Sequence, residues 1–421
     1  MKQITLAYGH DTVQFAFDDQ RYKVLLPPVS NDVPLTDATI GEALDSPIQS
    51  PALEDILSPG ESVLIVVSDA TRATASAQLV NLLVRRVIQN GISMADIAVI
   101  FATGIHRPVT AAEKQELLTP FIVQRIKTID HDAYDGAGMV VLGQTDRGTP
   151  VELNRALQDF SRVILTGTVG FHYFAGFTGG RKSVCPGLAS ARTIEATHML
   201  ALDFEGGGRR AGVGAGLLDG NPVHEECDHI AEVINPAFSI NAVVDERGRA
   251  VRVYAGHWRE AHRVACNEYL TEHSARIGER RDVVIASCGG WPYDINLIQA
   301  HKTLDMAARA CNEGGTIIVL AECSDGLGRS DFVKWFSETD SSALEQRLRD
   351  SYEVNGQTAW SLLTKAERHQ VVLVSQLAAT DVKRMRMEPA GSLSEALAKM
   401  DSDATGYILP RGAALLPMPA E

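Results

Sequence analysis

The sequence lacks the features that mark several large classes of protein. Basic residues are in deficit, because 39 Lys and Arg stand against 53 Asp and Glu among 421 residues, a formal net charge of -14. Nucleic acid and anionic membranes attract basic surfaces, so neither is an expected partner. No apolar run approaches the ~18 residues of a membrane-spanning helix. Residues 1–17 also lack the apolar core of a signal peptide, and we expect a cytoplasmic protein.

Paired cysteines and a dinucleotide fingerprint are missing too. The six cysteines are scattered with no C-x-x-C pair, and we expect reduced thiols rather than disulfides or a metal cluster. No G-x-G-x-x-G opens a helix after a strand with an acidic residue about 20 positions further on. That absence argues against an ordinary NAD-dependent dehydrogenase.

The residues that are present predict an α/β fold. Hydrophobic residues make up 45% and charged residues 22%, which is typical of a soluble globular chain with about two domains. Apolar strands alternate with helical patterns, as parallel α/β units require. The expected strands of the first half are 62–68, 97–102, 139–143 and 162–168, and the expected helices are 76–90, 190–200 (with Ser190 as N-cap) and 258–273. Residues 236–256 alternate around DERG and predict an added antiparallel hairpin.

A polar, charged segment at 274–281 predicts a domain boundary. After it the pattern restarts with a strand at 283–287, a helix near 296–312, and strands at 315–321 and 371–376. We therefore expect an N-terminal α/β domain at 1–273 and a C-terminal α/β domain at 274–405, both with mainly parallel sheets. A last strand within 406–421 can return to either domain. The active site is expected in the interdomain cleft.

Two segments with polar side chains follow predicted strands, where open α/β sheets bind ligands. The first is Asp69-Ala70-Thr71-Arg72, whose arginine can bind a carboxylate or phosphate through two parallel hydrogen bonds. Equally, Asp69 can cap the next helix and Arg72 can be a solvated charge. The second is Gly104-Ile105-His106-Arg107-Pro108. His106 can accept a proton near pH 7 or simply make a loop hydrogen bond.

The densest segment is GFHYFAGFTGGRKSVCPG at 170–187. Arg181 stands where the phosphate-loop pattern G-x-x-x-x-G-K-[ST] needs glycine, so that motif fails. What remains is a turn at Gly179 and Gly180 whose backbone can approach an anion closely, and Lys182, whose amine a partly apolar pocket can make nucleophilic. His198, in the following helix, is either a metal ligand or a histidine satisfied by packing.

The fourth segment is CGGWPYDINLIQAHK at 288–302. Gln299 and Lys302 are three residues apart on a predicted helix, so they share a face that can bind a substrate carboxylate or lie exposed. The glycine-rich stretch 206–220 is either a surface loop or a loop that closes on a ligand.

Taken together, these segments resemble the nickel-dependent lactate racemase family of 2-hydroxy-acid racemases and epimerases, over nearly the whole chain. The blocks that carry the resemblance are DATR at 69–72, GIHRP at 104–108, GFHYFAGFTGGRKSVCPG at 170–187, THML at 197–200, DGNPVHEE at 219–226 and GGWPYDINLIQAHK at 289–302. Each block is weak alone, but the ordered set is specific.

The resemblance implies a cofactor and roles for single residues. Lys182 matches the lysine that carries the nickel-pincer nucleotide, a pyridinium-3,5-bisthiocarboxylic acid mononucleotide, and His198 matches the nickel ligand. His106 and His172 match the two acid/base histidines. Asp69, Arg72, Gly179 and Gly180 are then expected around the cofactor, and Arg72, Gln299, Lys302 and Ile298 around the substrate.

The resemblance has departures. Ile298 occupies the position where the lactate enzyme has a tyrosine, which changes the pocket volume and removes a hydroxyl. Arg209 and Arg210 in the glycine-rich loop are not a family feature, and either can reach a second carboxylate, as in malate, or lie on the surface.

The sequence thus predicts a racemase or epimerase of a 2-hydroxy acid, lactate-like or another small hydroxy acid such as malate, that works by reversible hydride transfer. Cofactor-biosynthesis proteins are the implied partners. The alternative is a non-catalytic cofactor-binding or carrier protein of the same fold, which retains the lysine and nickel site without turnover.

Overall fold

The computed structural model describes residues 1–27, 32–70, 74–398, 400 and 403–419. The chain divides into two compact units. The N-terminal unit comprises Asn31–Ala201 and Arg210–Tyr269, and the C-terminal unit comprises Met1–Ser30, Leu202–Arg209 and Leu270–Glu421. In the described part of the chain, no helix is both long and apolar enough to cross a membrane.

The strands and helices carry the following bounds. The strands are β1 Lys2–Tyr8, β2 Asp11–Phe17, β3 Tyr22–Val24, β4 Val63–Ser68, β5 Ile97–Ala102, β6 Lys127–Asp130, β7 Met139–Gln144, β8 Pro150–Asn154, β9 Arg162–Thr168, β10 Phe171–His172, β11 Gly176–Phe177, β12 Phe238–Val244, β13 Ala250–Gly256, β14 Ser274–Ile277, β15 Arg281–Ser287, β16 Cys311–Leu320, β17 Gln370–Val374, β18 Glu388–Ala390, β19 Gly406–Leu409 and β20 Leu416–Pro419. The α-helices are α1 Asp37–Asp45, α2 Leu53–Ile56, α3 Ser76–Gln89, α4 Ala111–Leu117, α5 Pro120–Arg125, α6 Ala156–Asp159, α7 Ala191–Met199, α8 Pro222–Ile234, α9 Glu260–His273, α10 Leu297–Ala310, α11 Ser341–Asp350, α12 Val354–Arg368, α13 Ala379–Arg384 and α14 Leu393–Leu397.

A six-stranded sheet with the order β13-β12-β9-β4-β5-β6 forms the centre of the N-terminal unit. All neighbours are parallel except β12 and β13, which form the antiparallel hairpin predicted at 236–256. In β4 and β5 the first five residues are buried, as expected for strands covered on both faces. The expected α/β fold with an added hairpin is confirmed.

The predicted strand at 139–143 forms but does not join this sheet. It is β7, which pairs antiparallel with β8 in a separate two-stranded sheet. Most of β7 is partly or fully exposed, so its short apolar pattern reflects a surface hairpin rather than a central strand.

The C-terminal unit is built on a second six-stranded sheet, of order β18-β17-β16-β15-β19-β3, in which every pair is parallel. The expected boundary assigns residues 1–273 to one unit, whereas the first residues of the chain pack with the C-terminal half. They do so because β3 pairs with β19, the first strand of the segment 406–421, whereas the last strand, β20, pairs with β14 in a separate two-stranded sheet. The hairpin of β1 and β2 adds Leu6, Phe15 and Phe17 to the same core.

Candidate active site

The turns after β4 and β5 bring Asp69 and His106 together. Nδ1 of His106 lies 2.6 Å from Oδ2 of Asp69. The Asp69 side chain is 7% exposed, whereas that of His106 is 50% exposed. Because a buried carboxylate accepts the Nδ1 proton, the neutral imidazole keeps an acceptor lone pair on Nε2. Asp69 therefore contacts a histidine, and the next helix, α3, begins only at Ser76. Arg72 lies outside the described residues.

The His106 turn is tied to the segment that contains Lys182. The backbone N–H of Gly104 donates to the carbonyl of Gly187 at 2.9 Å. Gly104 has a φ of +55°, and a Cβ there would lie 3.4 Å from the Pro186 carbonyl oxygen. Glycine therefore permits the close approach of two motifs that are far apart in sequence.

Phe174 gathers three of the predicted site residues around one ring. Its ring centroid lies 4.5 Å from that of His172 and 4.9 Å from that of His198, both in edge-on geometry. Nζ of Lys182 lies 5.7 Å from the same centroid. Sequence reasoning missed Phe174, although its place in the aromatic run FHYF was the available signal.

His172 is held in a defined tautomer by the backbone. It ends β10, which pairs with β11, and its Nδ1 accepts the N–H of Ala175 at 3.2 Å. A neutral ring with Nδ1 as acceptor carries its proton on Nε2. The two histidines thus hold complementary tautomers: Nε2 of His106 can accept a hydrogen bond and Nε2 of His172 can donate one.

His198 has the properties of a metal ligand. Its side chain is buried in α7, and neither ring nitrogen has a hydrogen-bond partner among the described residues. Burial, with a smaller contribution from the charge of Lys182, lowers the pKa of His198 to about 3, so the ring is neutral. Buried polar atoms are rarely left unpaired, and a neutral imidazole is a good ligand for nickel. Over the described ranges, no group of three or more His, Cys, Asp or Glu could hold a metal.

The turn before Lys182 depends on glycine at two positions. Gly179 and Gly180 have φ values of +79° and +52°. A Cβ on Gly179 would lie 2.8 Å from Oδ1 of Asn241, and one on Gly180 would lie 2.6 Å from the ring of His262. Asn241 Oδ1 also accepts the N–H of Gly180 at 2.9 Å. These glycines bring the chain against β12 and so set the position of Lys182.

Arg181 is a structural residue that the sequence did not reveal. The guanidinium is buried and donates to the carbonyls of Ala175 at 2.8 Å and Phe177 at 3.1 Å. It also lies 3.2 Å from Nε2 of His262. Burial lowers the pKa of Arg181. The side chain therefore holds the loop from inside instead of binding an outside anion.

Gln299 and Lys302 lie in the C-terminal unit, on the first turns of α10. Nζ of Lys302 donates to Oε1 of Gln299 at 2.6 Å, and both side chains are half-buried. Asn296 caps the helix by accepting the N–H of Gln299 at 3.0 Å. Ile298, directly before Gln299, is also half-buried. The shared helix face is therefore present as a hydrogen-bonded pair.

The glycine-rich stretch includes an ion pair. Arg209 lies 2.9 Å from Oδ1 of buried Asp305, on α10, and Lys365 reaches the same oxygen at 2.8 Å. Gly208 donates to Glu345 at 2.8 Å. The guanidinium of Arg209 is thus engaged with a carboxylate of the protein itself.

The fold and site define a two-unit α/β protein with titratable side chains in the turns that follow its parallel strands. Family models match both halves: the lactate racemase N-terminal domain over residues 8–207 and the lactate racemase C-terminal domain over 278–416. A lactate racemase of Thermoanaerobacterium thermosaccharolyticum is 30% identical over 429 residues, 99% of each chain. One of Lactiplantibacillus plantarum is 32% identical over 408 residues, 95% of each.

Solved structures agree. The lactate racemase apoprotein of T. thermosaccharolyticum matches with a TM-score of 0.90 and 28% identity, covering 99% of this chain and 100% of that one. A protein of Thermotoga maritima matches with a TM-score of 0.69 over 93% of this chain and 100% of its own, at 19% identity, and so shows the fold alone. The chain belongs to the lactate racemase family, as the resemblance indicated.

Proposed function

We propose that the protein interconverts the two configurations of a small 2-hydroxy acid, using a nickel-pincer nucleotide held on Lys182. Family membership supports a racemase role. The observation that carries the finer proposal is the cluster around Phe174, in which a buried lysine and a histidine with two unpartnered nitrogens contact the same ring.

The residues present fit the cofactor. Lys182 would hold it through a covalent bond, and His198 would complete the coordination of nickel. The cofactor supplies reversible storage of the hydride removed from C2 of the substrate.

The two histidines supply the proton transfers that must accompany hydride removal. His106, whose Nδ1 bonds to Asp69, takes the hydroxyl proton at Nε2. His172 acts as the acid toward an alkoxide of the opposite configuration, since its imidazolium form gives up the Nε2 proton and is left as a neutral ring. The pair must exchange protonation states during each interconversion. Two histidines serve a racemase because either enantiomer has to be deprotonated and reprotonated.

The substrate carboxylate is assigned to Lys302 and Gln299. Lys302 offers an ammonium and Gln299 an amide donor, and their hydrogen bond pre-orients both. Ile298 is an apolar neighbour that favours a small aliphatic substituent on C2. Arg72 stays a proposed contact of both substrate and cofactor.

The test is intact and peptide mass spectrometry with nickel analysis, on protein produced in a host that also expresses the cofactor-biosynthesis proteins. We expect an adduct on Lys182 and about one nickel per chain, both lost in Lys182→Ala. His106→Ala and His172→Ala should keep the adduct and lose racemisation of 2-hydroxy acids, followed by chiral chromatography.

Three results would overturn the proposal. A folded protein without an adduct in that host removes the cofactor assignment. Histidine variants that racemise like the wild type would refute the acid/base assignment. A loaded wild-type protein that turns over no 2-hydroxy acid would support a carrier protein instead.

A further inference from the structure

The tip of the N-terminal hairpin, residues 8–10, is bonded to the turn that leads into α10. The N–H of Trp291 donates to the carbonyl of Gly9 at 2.8 Å. The ring of His10 stacks on that of Trp291 with centroids 5.2 Å apart and an interplanar angle of 23°. Ser287 Oγ donates to the carbonyl of Ala7. The tip thus contacts both sides of the turn.

Asp294 is the centre of this contact. Its side chain is fully buried, and Oδ2 accepts the N–H of Gly9 at 2.7 Å and that of Glu322 at 3.2 Å. Its backbone carbonyl accepts the N–H of Cys323 at 2.9 Å. One residue therefore joins the hairpin, the turn after β15 and the segment after β16.

The backbone is closely packed around Asp294. Gly9 has a φ of +56°, and a Cβ there would lie 2.2 Å from a carboxylate oxygen of Glu322. Gly290 has a φ of +74°, and its Cβ would lie 2.8 Å from the Gly9 carbonyl oxygen. The hairpin tip and the turn after β15 therefore approach each other closely at Gly9 and Gly290.

The position of Asp294 also affects the position of the first turn of α10. It lies two residues before Asn296, the N-cap of the helix that carries Gln299 and Lys302. The following residue, Ile295, accepts the N–H of Asp325 through its carbonyl at 2.8 Å, and Leu297 donates to Gly326 at 3.1 Å. A shift of the turn would therefore move the first turn of α10.

We propose that Asp294 is a positioning residue, through which the N-terminal hairpin holds the substrate-binding turn of α10 in register. The inference rests on the proposed role of Gln299 and Lys302 in binding substrate. It adds a function for residues 8–10, which lie more than 270 positions from the helix they orient.

The test compares Asp294→Leu, which keeps the branching at Cγ but has no acceptor, with Asp294→Asn, whose amide oxygen can still accept both N–H groups. Racemisation kinetics of cofactor-loaded enzyme should show KM raised about tenfold or more in Asp294→Leu, with kcat per loaded site changed less than threefold. Asp294→Asn should stay within about threefold of the wild-type KM. Gln357→Leu is the matched control, because Gln357 is another buried polar residue of this unit, bonded to Tyr352 away from the turn.

A second readout needs neither cofactor nor turnover. Trp291 is 51% exposed, whereas Trp258, Trp335 and Trp360 are at most 4% exposed, so acrylamide quenching reports mainly on Trp291. We expect Asp294→Leu to increase the quenching constant, because His10 leaves the ring of Trp291. Asp294→Asn and Gln357→Leu should leave it unchanged.

The outcomes separate the two hypotheses. If Lys302→Ala raises KM but Asp294→Leu changes neither KM nor quenching, the positioning role is wrong and the proposed function stands. If Lys302→Ala leaves KM unchanged, the substrate assignment fails, and quenching alone decides whether Asp294 anchors the hairpin. If Gln357→Leu raises KM as much as Asp294→Leu does, a general loss of stability explains both effects. That outcome would overturn the inference.

Discussion

Replacing Asp69 by Asn tests the proposed role of His106 directly. The carboxylate of Asp69 lies 2.6 Å from Nδ1 of His106 and can only accept a hydrogen bond there, which leaves Nε2 as the base. An amide at the same place can donate to Nδ1. The neutral ring would then carry its proton on Nε2, and Nε2 could no longer accept one from the substrate.

The expected magnitude follows from the energy of tautomer control. In the serine-protease triad, the corresponding Asp-to-Asn change lowers kcat about 10⁴-fold because the histidine takes the wrong tautomer. His106 is half exposed, so water can stabilise either tautomer, and we expect a smaller loss in kcat/KM, about 10² to 10³-fold. That corresponds to roughly 3 to 4 kcal/mol at 1.36 kcal/mol per decade.

The equilibrium constant of a racemisation is one, so kcat/KM must fall by the same factor from either enantiomer. The assay is chiral chromatography of loaded enzyme started from each enantiomer, normalised to the adduct on Lys182. Asp130→Asn is the matched control, because Asp130 ends the neighbouring strand β6 and pairs with Lys114. Wild-type kcat/KM in Asp69→Asn at full cofactor loading would refute the assignment of His106 as base.

Three further predictions concern stability. Gly180→Ala should lower the free energy of unfolding, measured in urea, by about 2 to 4 kcal/mol, because it combines positive-φ strain with a clash against His262. The control Gly207→Ala, with φ +78° and open space around its Cβ, should lower it by only about 1 kcal/mol. Arg181→Met should destabilise by roughly 3 kcal/mol or more and reduce adduct formation, because buried carbonyls lose their donor; equal stability of the variant would contradict this. Burial lowers the pKa of His131 to about 4 from 6.5, so the unfolded chain binds more protons and this residue lowers stability by about 2 kcal/mol between pH 7 and pH 5. A His131→Gln variant should show that much less loss over the same interval, measured by urea unfolding at both pH values.

The His131 prediction has a geometric basis. Its ring donates from Nε2 to the carbonyl of Ala189 at 3.1 Å and accepts at Nδ1 from the Asn154 amide at 3.2 Å. A proton on Nδ1 would meet that amide donor. Protonation therefore breaks a satisfied buried network, with a small opposing effect from the charge of Asp132.

Local pattern determined much of the fold. The apolar runs of β4, β5 and β9 predicted parallel strands, because strands buried on both faces show no alternation. Ser190 was predictable as the N-cap of α7 because its side chain serves the N–H of Thr193, three residues away. The sharing of a helix face by Gln299 and Lys302 likewise follows from helical spacing.

Contacts between segments that are distant in sequence could not be predicted from local pattern. The pairing of β3 with β19 depends on the sheet that both strands join, and no feature of residues 22–24 identifies β19 as the partner. The same holds for Asp294, whose partner Gly9 is 285 residues away. Spacing placed Lys182 and His198 in neighbouring elements. Only the packed structure shows that both side chains lie beside the ring of Phe174.

The sequence by itself thus determined the α/β class, the order of its strand-end motifs and the family, because each depends on residue types at short spacing. The tertiary structure decided the tautomers of His106 and His172, the enclosure of Arg181 by carbonyls and the anchoring of the hairpin tip by Asp294. Each of these depends on which donor meets which acceptor across the fold, and hydrogen bonds of 2.6 to 3.2 Å exist only once the chain has packed.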